Sequence, residues 1–431
     1  PVTSYATIGA AFTAINTGAF TGAITVNIVG NTTELASASL DSSGNGTGSN
    51  YTSVTIQPSG GVSRTITGAF VGHLINLNGA DNVTIDGLNT GGNLLTISNT
   101  ALGVSSAIRF ILDAKNNTVT NCTVTGSTVS TIAGVIFFST GTASGNDNNI
   151  ISNNNISAAG SNLPQNCIFS SGSNATIDNS GNSVTGNNIS DFFLASGASN
   201  GMLISGNNSN WNISNNKIFQ TGSRTYTNSN THNGISITSG SGYTINGNTI
   251  GYAASGGTGT YTMLSSNAAR YIGISITAAT TTAVTSVQGN TVTAISLATS
   301  SGANSINGVL CGINILGATN ANVGNITPNI IGSSSGTGLL TAIPTSTQGT
   351  IVGINSSSTG SVVIQSNIIG GLTSSGTTAA IAGGVIGINC SGVAASMTIT
   401  GNTIGNSTAE NMRAGTTVLT TGSSIATGIN L

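Results

Sequence analysis

The segment "YTINGNTIG" at residues 243–251 is the strongest indication of the fold, because it returns as "MTITGNTIG" at residues 397–405 with seven of its nine residues unchanged. Both copies place an asparagine between short runs of isoleucine and threonine. An amide among apolar residues costs free energy unless it is hydrogen-bonded. Its return at a fixed offset therefore indicates a structural position that repeats along the chain.

A looser form of the same pattern, apolar-x-x-Asn-x-apolar, occurs eight times at spacings of 29 to 42 residues. The shared asparagines are Asn154, Asn187, Asn216, Asn248, Asn290, Asn329, Asn367 and Asn402. Two degenerate copies precede them, with Leu88 and Cys122 at this position. One such repeat cannot bury its own apolar face, so the period predicts a solenoid in which neighbouring repeats stack.

A second motif lies between these hits, and it reads "GISI" at 234–237, "GINI" at 312–315 and "GINL" at 428–431. Each repeat thus predicts two short strands, an Asn corner, a third strand and a variable loop. Strands of consecutive repeats would pair in parallel about 4.8 Å apart. We predict an all-β fold, a right-handed parallel β-helix of about ten to twelve coils, with residues 71–431 as one continuous domain.

The repeated asparagine suits a sharp corner, since asparagine tolerates left-handed backbone angles better than most residues. Its amide can also bond the asparagine of the coil above and below, as stacked amides do in cross-β assemblies. We therefore predict an internal Asn ladder with a structural role. By contrast, Gln288 should point outward, where its replacement would matter little.

The first 70 residues differ from the repeats and predict an N-terminal cap with first strands. The segment "YATIGAAFTAINTG" places Ile8, Phe12 and Ile15 on one helical face and ends at Gly18, a common helix stop. We expect a helix at about residues 5–17 that covers the core and the first strand edge.

The last residues, "TGINL", have the sequence of a first strand whose coil is not completed. Covering that strand with another subunit would satisfy its backbone groups and bury its apolar side chains. The expectation is a head-to-tail homopolymer. The residues expected at the two assembly ends are Tyr5, Ile8, Phe12 and Ile15 on one side and Ile429 and Leu431 on the other.

Composition restricts the partners further, because only 16 of 431 residues are charged and the net charge is −2. Nucleic-acid binding needs a basic stripe, and no apolar run approaches the roughly 18 residues of a membrane span. We therefore expect neither nucleic acid nor membrane insertion. The four cysteines lack zinc-site spacing, so buried free thiols, with no metal and no cofactor, are expected at Cys122, Cys167, Cys311 and Cys390.

The helix "TIGAAFTAIN", the segment "ITVNIVGNTTE" and the coils ending in "GNTI" together resemble secreted pectin-lyase-like right-handed parallel β-helix surface proteins. The resemblance covers essentially the whole chain and is closest to large repetitive surface proteins of Bacteroidota. It implies an extracellular or cell-surface location. It does not specify an activity, because this fold carries enzymes, adhesins and structural proteins.

Polysaccharide hydrolases need two carboxylates roughly 5–10 Å apart, and no local pair is present among the nine acidic residues. One charge-dense segment contains Asp81, Asp86, Arg109, Asp113 and Lys115. We interpret it as solvated turns with one structural ion pair, the alternative being a calcium or catalytic site. The predicted register places Arg109 in an inward column, so either it is buried beside an Asp or the register slips there.

The sequence therefore favours a non-catalytic extracellular structural protein, a self-assembling filament or surface-layer subunit stacked head to tail with itself. An adhesin or the stalk of a longer cell-surface protein is the alternative. A carbohydrate-binding or polysaccharide-degrading β-helix protein also stays open, with glycans as possible partners. Exposed aromatic residues would favour glycan binding, but we expect the single tryptophan, Trp211, to pack at a corner.

Overall fold

A computed structural model of the chain describes residues 3–44, 48–278, 283–300, 307–375, 383–415 and 425–431. The described chain divides into two compact units. Unit 1 comprises Pro1–Phe192 and Met202–Ile213, and unit 2 comprises Phe193–Gly201 and Ser214–Leu431. The division of the chain into a cap at residues 1–70 and one continuous domain at residues 71–431 stays a prediction.

In unit 1 the chain runs repeatedly through three parallel sheets. The first sheet contains Thr21–Ile28, Asn50–Pro58, Val83–Asp86, Thr118–Thr120, Ile150–Ser152 and Ser183–Thr185. The second contains Thr32–Glu34, Ser63–Gly68, Leu94–Asn99, Thr123–Gly126, Asn155–Ala158 and Asn188–Ser190. The third contains Ala38–Asp41, His73–Asn78, Ser106–Ile111, Ile136–Phe138 and Asn166–Ser170. A two-stranded pair joins Asn179–Ser180 to Asn208–Ser209.

Unit 2 repeats this order with a fourth sheet inserted between the second and the third. The first sheet contains Thr244–Asn246, Thr285–Gln288, Ala321–Val323, Ser361–Gln365 and Ser396–Thr400. The second contains Lys217–Phe219, Thr249–Gly251, Thr291–Thr293, Ile330–Gly332, Ile368–Gly370 and Thr403–Ile404. The fourth contains Arg224–Tyr226, Tyr261–Ser265, Ile295–Thr299, Leu340–Pro344, Leu372–Ser374 and Met412–Ala414. The third contains Thr231–Ile237, Arg270–Ala278, Leu310–Gly317, Ile351–Ser356, Val385–Cys390 and Ala426–Asn430. Two further strands, Ser199–Ile204 and Asn212–Ser214, include residues of both units.

The strands alternate between an apolar inner face and a polar outer face, as the sequence predicts. In the first sheet of unit 1, Ile85, Val119 and Ile151 lie in register and are fully buried. Thr84 and Thr118 lie in register on the outer face. Each coil thus places its β-branched residues against those of the next coil. The right-handed parallel β-helix predicted from the repeats is confirmed.

The single described helix, Ile8–Asn16, buries the predicted residues Ile8, Phe12 and Ile15. It begins at Ile8 rather than near residue 5, because the Thr7 side chain caps it by accepting a bond from the Ala10 N–H. The Glu34 carboxylate accepts bonds from the N–H groups of Ile8 and Gly9 (3.0 and 3.1 Å). An acidic group at this position complements the positive end of the helix dipole.

The helix packs against strand Ala38–Asp41 of the third sheet, which confirms the capping helix. No helix within the described ranges is long and apolar enough to span a membrane. The four cysteines are buried free thiols, as predicted.

The predicted asparagines form a hydrogen-bonded ladder inside each unit. In unit 2, the Asn290 carboxamide oxygen accepts bonds from the backbone N–H and the side-chain amide of Asn248 (3.0 and 2.9 Å). The Asn290 amide in turn donates to the carbonyl of Ile245 and to the side-chain oxygen of Asn329 (2.9 and 3.0 Å). The same links run onward from Asn329 through Asn367 to Asn402. Each buried amide is therefore satisfied by the coils on both sides.

Unit 1 contains the same arrangement between Asn154 and Asn187 (2.9 and 3.0 Å). Cys122, at the degenerate position, donates its backbone N–H to the Asn154 side-chain oxygen (2.9 Å). A cysteine here keeps the backbone bond but cannot extend the amide ladder.

Gln288 lies in register with the exposed Asn246, on the outer face as predicted, but the expectation that its replacement would matter little is wrong. Its side chain is buried, donates to the carbonyl of Asn322 and accepts bonds from the N–H groups of Ile326 and Thr327. These contacts fix the turn that follows the first-sheet strand of the next coil. An exposed asparagine on the same surface, Asn246, is the better reference position.

Replacing Asn290 by Leu should lower the free energy of unfolding by about 4 kcal/mol, because it leaves several buried donors and acceptors without partners. The matched change Asn246→Leu alters an exposed amide and should cost less than about 1 kcal/mol. Chemical denaturation of the two variants measures both values. Equal losses at the two positions would contradict a structural ladder.

Candidate functional site

The charge-dense segment forms one side of a groove in unit 1, with a volume of about 640 Å³. The turns that follow the third-sheet strands line it. These turns contribute Asp41, Ser42, Ser43, Asn78, Gly79, Asp81, Leu112, Asp113, Lys115, Thr142, Ala143 and Ser144. Because successive coils stack these turns on one another, residues about 30 positions apart in the sequence become neighbours.

Asp113 occupies a left-handed turn (φ 70°) and faces the turn of the next coil. Its carboxylate accepts bonds from the Thr142 hydroxyl and from the four consecutive N–H groups of residues 142–145. Partial burial of the carboxyl raises its pKa, but the Thr142 hydroxyl and the backbone donors outweigh this effect and hold the pKa at about 2. Asp113 is therefore a carboxylate at any physiological pH.

Asp81 and Asp147 differ from Asp113 because fewer donors reach them. Asp81 accepts the backbone N–H of Lys115 (2.7 Å), and Asp147 accepts the N–H and hydroxyl of Ser180 (2.8 and 3.1 Å). Burial raises the pKa of both carboxyls, with these hydrogen bonds and the Lys115 ammonium acting against it. Lys115 forms an ion pair at 3.9 Å, as expected of one residue in this segment, but its partner is Asp147, which lies outside the segment.

The groove thus combines Asp113, whose pKa is lowered, with Asp81, whose pKa is raised, and with Asp41 and the Lys115 ammonium. Such a divergence of pKa values is also what paired acid–base catalysis requires. Asp147 pairs with Lys115 but does not line the groove. Asp81, Asp113 and Asp147, however, each already accept hydrogen bonds that hold a neighbouring turn in place. Among the residues that the structure describes, no three His, Cys, Asp or Glu side chains come together as a metal site would require.

The two remaining residues of the charge-dense segment lie elsewhere. Asp86 accepts bonds from the Leu88 N–H and the Asn121 amide (2.8 and 2.9 Å). Arg109 lies in register with Asn76, and its Nε donates to the Asn76 side-chain oxygen (2.7 Å). Ile108, not Arg109, lies beside Ile75. The predicted inward position of Arg109 is therefore wrong by one residue, which is the register slip that the sequence left open.

Trp211 is fully buried in unit 1, and its indole N–H donates to the carbonyl of Asn179 (2.8 Å). Its ring meets that of Phe138 edge-on, with centroids 4.9 Å apart. A ring in this position packs the core and offers no face to a glycan.

The structure contains further amide ladders that were not predicted from the sequence. Unit 1 holds one of Asn117, Asn149 and Asn182, just before the first-sheet strands. Unit 2 holds another on the third sheet, through Asn314, Asn355, Asn389 and Asn430. The asparagine in the repeated "GIN" motif is the sequence feature from which the second ladder could have been predicted.

The residues expected at assembly ends are divided between buried and exposed positions. Ile8, Phe12 and Ile15 lie on the buried face of the helix, whereas Tyr5 is exposed. Ile429 and Leu431 are exposed. Their contact with another subunit stays a prediction.

Unit 2 contains a buried histidine within an aromatic cluster. The ring nitrogens of His232 bond the hydroxyls of Tyr226 and Tyr261 (3.0 and 2.6 Å), and the imidazole stacks on Tyr271. Burial, assisted by the charge of Arg224, lowers the pKa of His232 to about 3. The cluster is enclosed, so its role is packing rather than chemistry.

The pKa of His232 makes stability depend on pH. Since the unfolded chain protonates near pH 6.5 and the folded chain near pH 3, stability is complete above pH 6.5 and falls as the pH drops. At pH 5 the loss from this one residue should be about 2 kcal/mol. In His232→Gln, the difference in unfolding free energy between pH 7 and pH 5 should shrink by that amount. An unchanged difference would exclude His232 as its source.

Asp113→Asn should lower the free energy of unfolding by about 1–2 kcal/mol, because a neutral carboxamide oxygen is a weaker acceptor than the carboxylate and the –NH2 group cannot accept the bonds from Thr142 and Ala143 that Oδ2 accepts. Asp86→Asn is the matched change at a carboxylate with a single backbone donor, and it should cost less. Thermal denaturation at pH 7 compares the two. A larger loss in Asp86→Asn would contradict the capping role of Asp113.

Comparison with known proteins gives one distant likeness. No known protein family matches the chain, and no curated protein sequence matches it. Among solved structures it is similar to the crystal structure of PfbA, a surface adhesin of Streptococcus pneumoniae, with a TM-score of 0.37 and 10% sequence identity over 93% of this chain and 86% of that chain. A likeness this distant does not establish a shared function, and the expected similarity to Bacteroidota surface proteins stays a prediction.

Proposed function

We propose that the chain is a non-catalytic structural β-helix of the cell exterior. The observation that carries this proposal is the role of the carboxylates in and beside the groove. Asp81, Asp113 and Asp147 each accept backbone N–H bonds from a neighbouring coil. Carboxylates that already accept these structural hydrogen bonds are poorly available to exchange protons with a substrate.

Self-assembly into a filament or surface layer is the form of this function that we propose first. Within the part of the chain that the structure describes, strand Ala426–Asn430 pairs on one edge, with Val385–Cys390. Ile429 beside that edge is 47% exposed. An edge of this kind accepts further parallel strands, either from a second copy or from more of the same polypeptide.

A stalk or adhesin segment of a longer cell-surface protein is the alternative form. The amide ladders and the stacked sheets would serve a stiff spacer as well as a filament. The two forms differ in what the isolated chain does. A filament subunit polymerises, whereas a stalk segment stays dispersed.

A polysaccharide-degrading enzyme is the second candidate function, and the groove is the observation that favours it. Asp81, with a raised pKa, could hold a proton while Asp113 stays ionised. General acid catalysis of glycoside cleavage uses such a pair.

Incubation of the purified chain with a panel of acidic and neutral polysaccharides tests the catalytic alternative. We expect no turnover. Cleavage that disappears in both Asp81→Asn and Asp113→Asn, while Asp86→Asn retains it, would overturn the non-catalytic proposal. Negative-stain electron microscopy of the same material at pH 7 then separates the two structural forms. Regular filaments support the subunit, and dispersed particles at all concentrations support the stalk.

A further inference from the structure

The turns that join the second sheet to the third sheet in unit 1 expose an unusual number of aliphatic side chains. These turns are residues 35–37, 69–72, 100–105 and 127–135. The exposed side chains, here called the apolar ridge, are Leu35, Val71, Leu102, Val104, Val129 and Ile132. Aliphatic residues exposed singly are ordinary, so the question is whether these six are contiguous.

The stacking of successive turns indicates that they are. A Cβ added at Gly103 would lie 3.9 Å from both methyl groups of Val71. The Thr128 hydroxyl donates to the carbonyl of Gly103 (2.7 Å). The strands that enter these turns are in register at Gly68, Asn99 and Gly126. Four stacked turns at the parallel-strand spacing make a ridge roughly 15 Å long.

The ridge is also free of charge. None of the four turns contains Asp, Glu, Lys, Arg or His. Glu34, which precedes Leu35, is buried and bonded to the N–H groups of Ile8 and Gly9. In unit 1 the turns after the third sheet thus carry acidic residues, among them Asp81 and Asp113, whereas the turns before that sheet form an uncharged apolar surface.

We propose that the apolar ridge is a contact between two copies of this chain, which pack side by side through a two-fold axis. Leu35 is 90% exposed and Val71 is 71% exposed. The six side chains together leave roughly 500 Å² of apolar surface in water, near the upper end for a patch on a monomer. Two such ridges in contact would bury about 1,000 Å², the lower limit for a specific interface.

A second copy fits this surface better than other occupants. An anionic membrane surface or an acidic glycan would require basic side chains, and the turns have none. Two identical ridges are complementary in polarity, and the net charge of −2 on the whole chain opposes their approach only weakly. The contact is isologous and closes at two copies. It is a lateral contact on one unit, so it does not depend on the proposed function.

Sedimentation equilibrium of the intact chain, from about 1 to 200 µM, tests the proposal. We expect a reversible dimer with a dissociation constant in the micromolar range. Val71→Glu places a carboxylate in the contact and should raise the dissociation constant at least tenfold. Val29→Glu is the matched control, because Val29 is 67% exposed but follows a first-sheet strand. It should dimerise as the unmodified chain does.

Ile132→Glu should repeat the effect of Val71→Glu at another turn of the ridge, and circular dichroism of each variant should show an unchanged fold. If one variant unfolds, the other still decides the question. A chain that stays monomeric at 200 µM would overturn the proposal. So would equal dimerisation of the Val71→Glu and Val29→Glu variants. Binding to uncharged phosphatidylcholine vesicles, lost in Val71→Glu and without dimerisation, would assign the ridge to a lipid surface instead.

Discussion

A buried amide must find hydrogen-bond partners, and here the stacking of coils provides them. Asn290 receives two bonds from Asn248 and gives two to Asn329, one from its backbone and one from its side chain, and its amide also donates to a main-chain carbonyl. The ladder therefore fixes the register between neighbouring coils at the corner where the backbone turns. Slippage by one residue would bury several unsatisfied polar groups at once, each at a cost of about 1–3 kcal/mol. The apolar strands supply most of the burial, and the ladder restricts them to one register.

The acidic residues of unit 1 follow the same rule. Asp113 accepts a run of N–H groups from the turn one coil further on, and Asp147 does so on a smaller scale. A polar side chain on one coil thus accepts hydrogen bonds from backbone N–H groups of the next coil. With 16 charged residues in the whole chain, the concentration of several at these turns reflects a local need for acceptors. This use supports the non-catalytic proposal, since a carboxylate that holds a turn is displaced from it only at a structural cost.

Periodicity made the fold predictable, because inward isoleucine, valine and asparagine recur at equivalent positions. The capping helix followed from Ile8, Phe12 and Ile15 in the same way. Arg109 was placed one residue off because apolar residues flank it on both sides, so the apolar pattern fits two registers. Gln288 lies in the predicted register, but the sequence does not show that a turn of the next coil covers it. The groove was anticipated only as a cluster of charges, since the sequence does not say which turns of variable length stack together. The exposed ridge was missed for that reason too, as its six residues come from four turns of unequal length.

The ladder also bears on how such a chain lengthens during evolution. Each asparagine of the ladder donates to one asparagine and accepts from another. A duplicated coil inserted between Asn290 and Asn329 would therefore form with each of them the hydrogen bonds that the two now form with each other. Unequal recombination between similar segments, such as those around Asn248 and Asn402, would add or remove coils with every amide still satisfied. Selection on length could then act without any simultaneous change in the core.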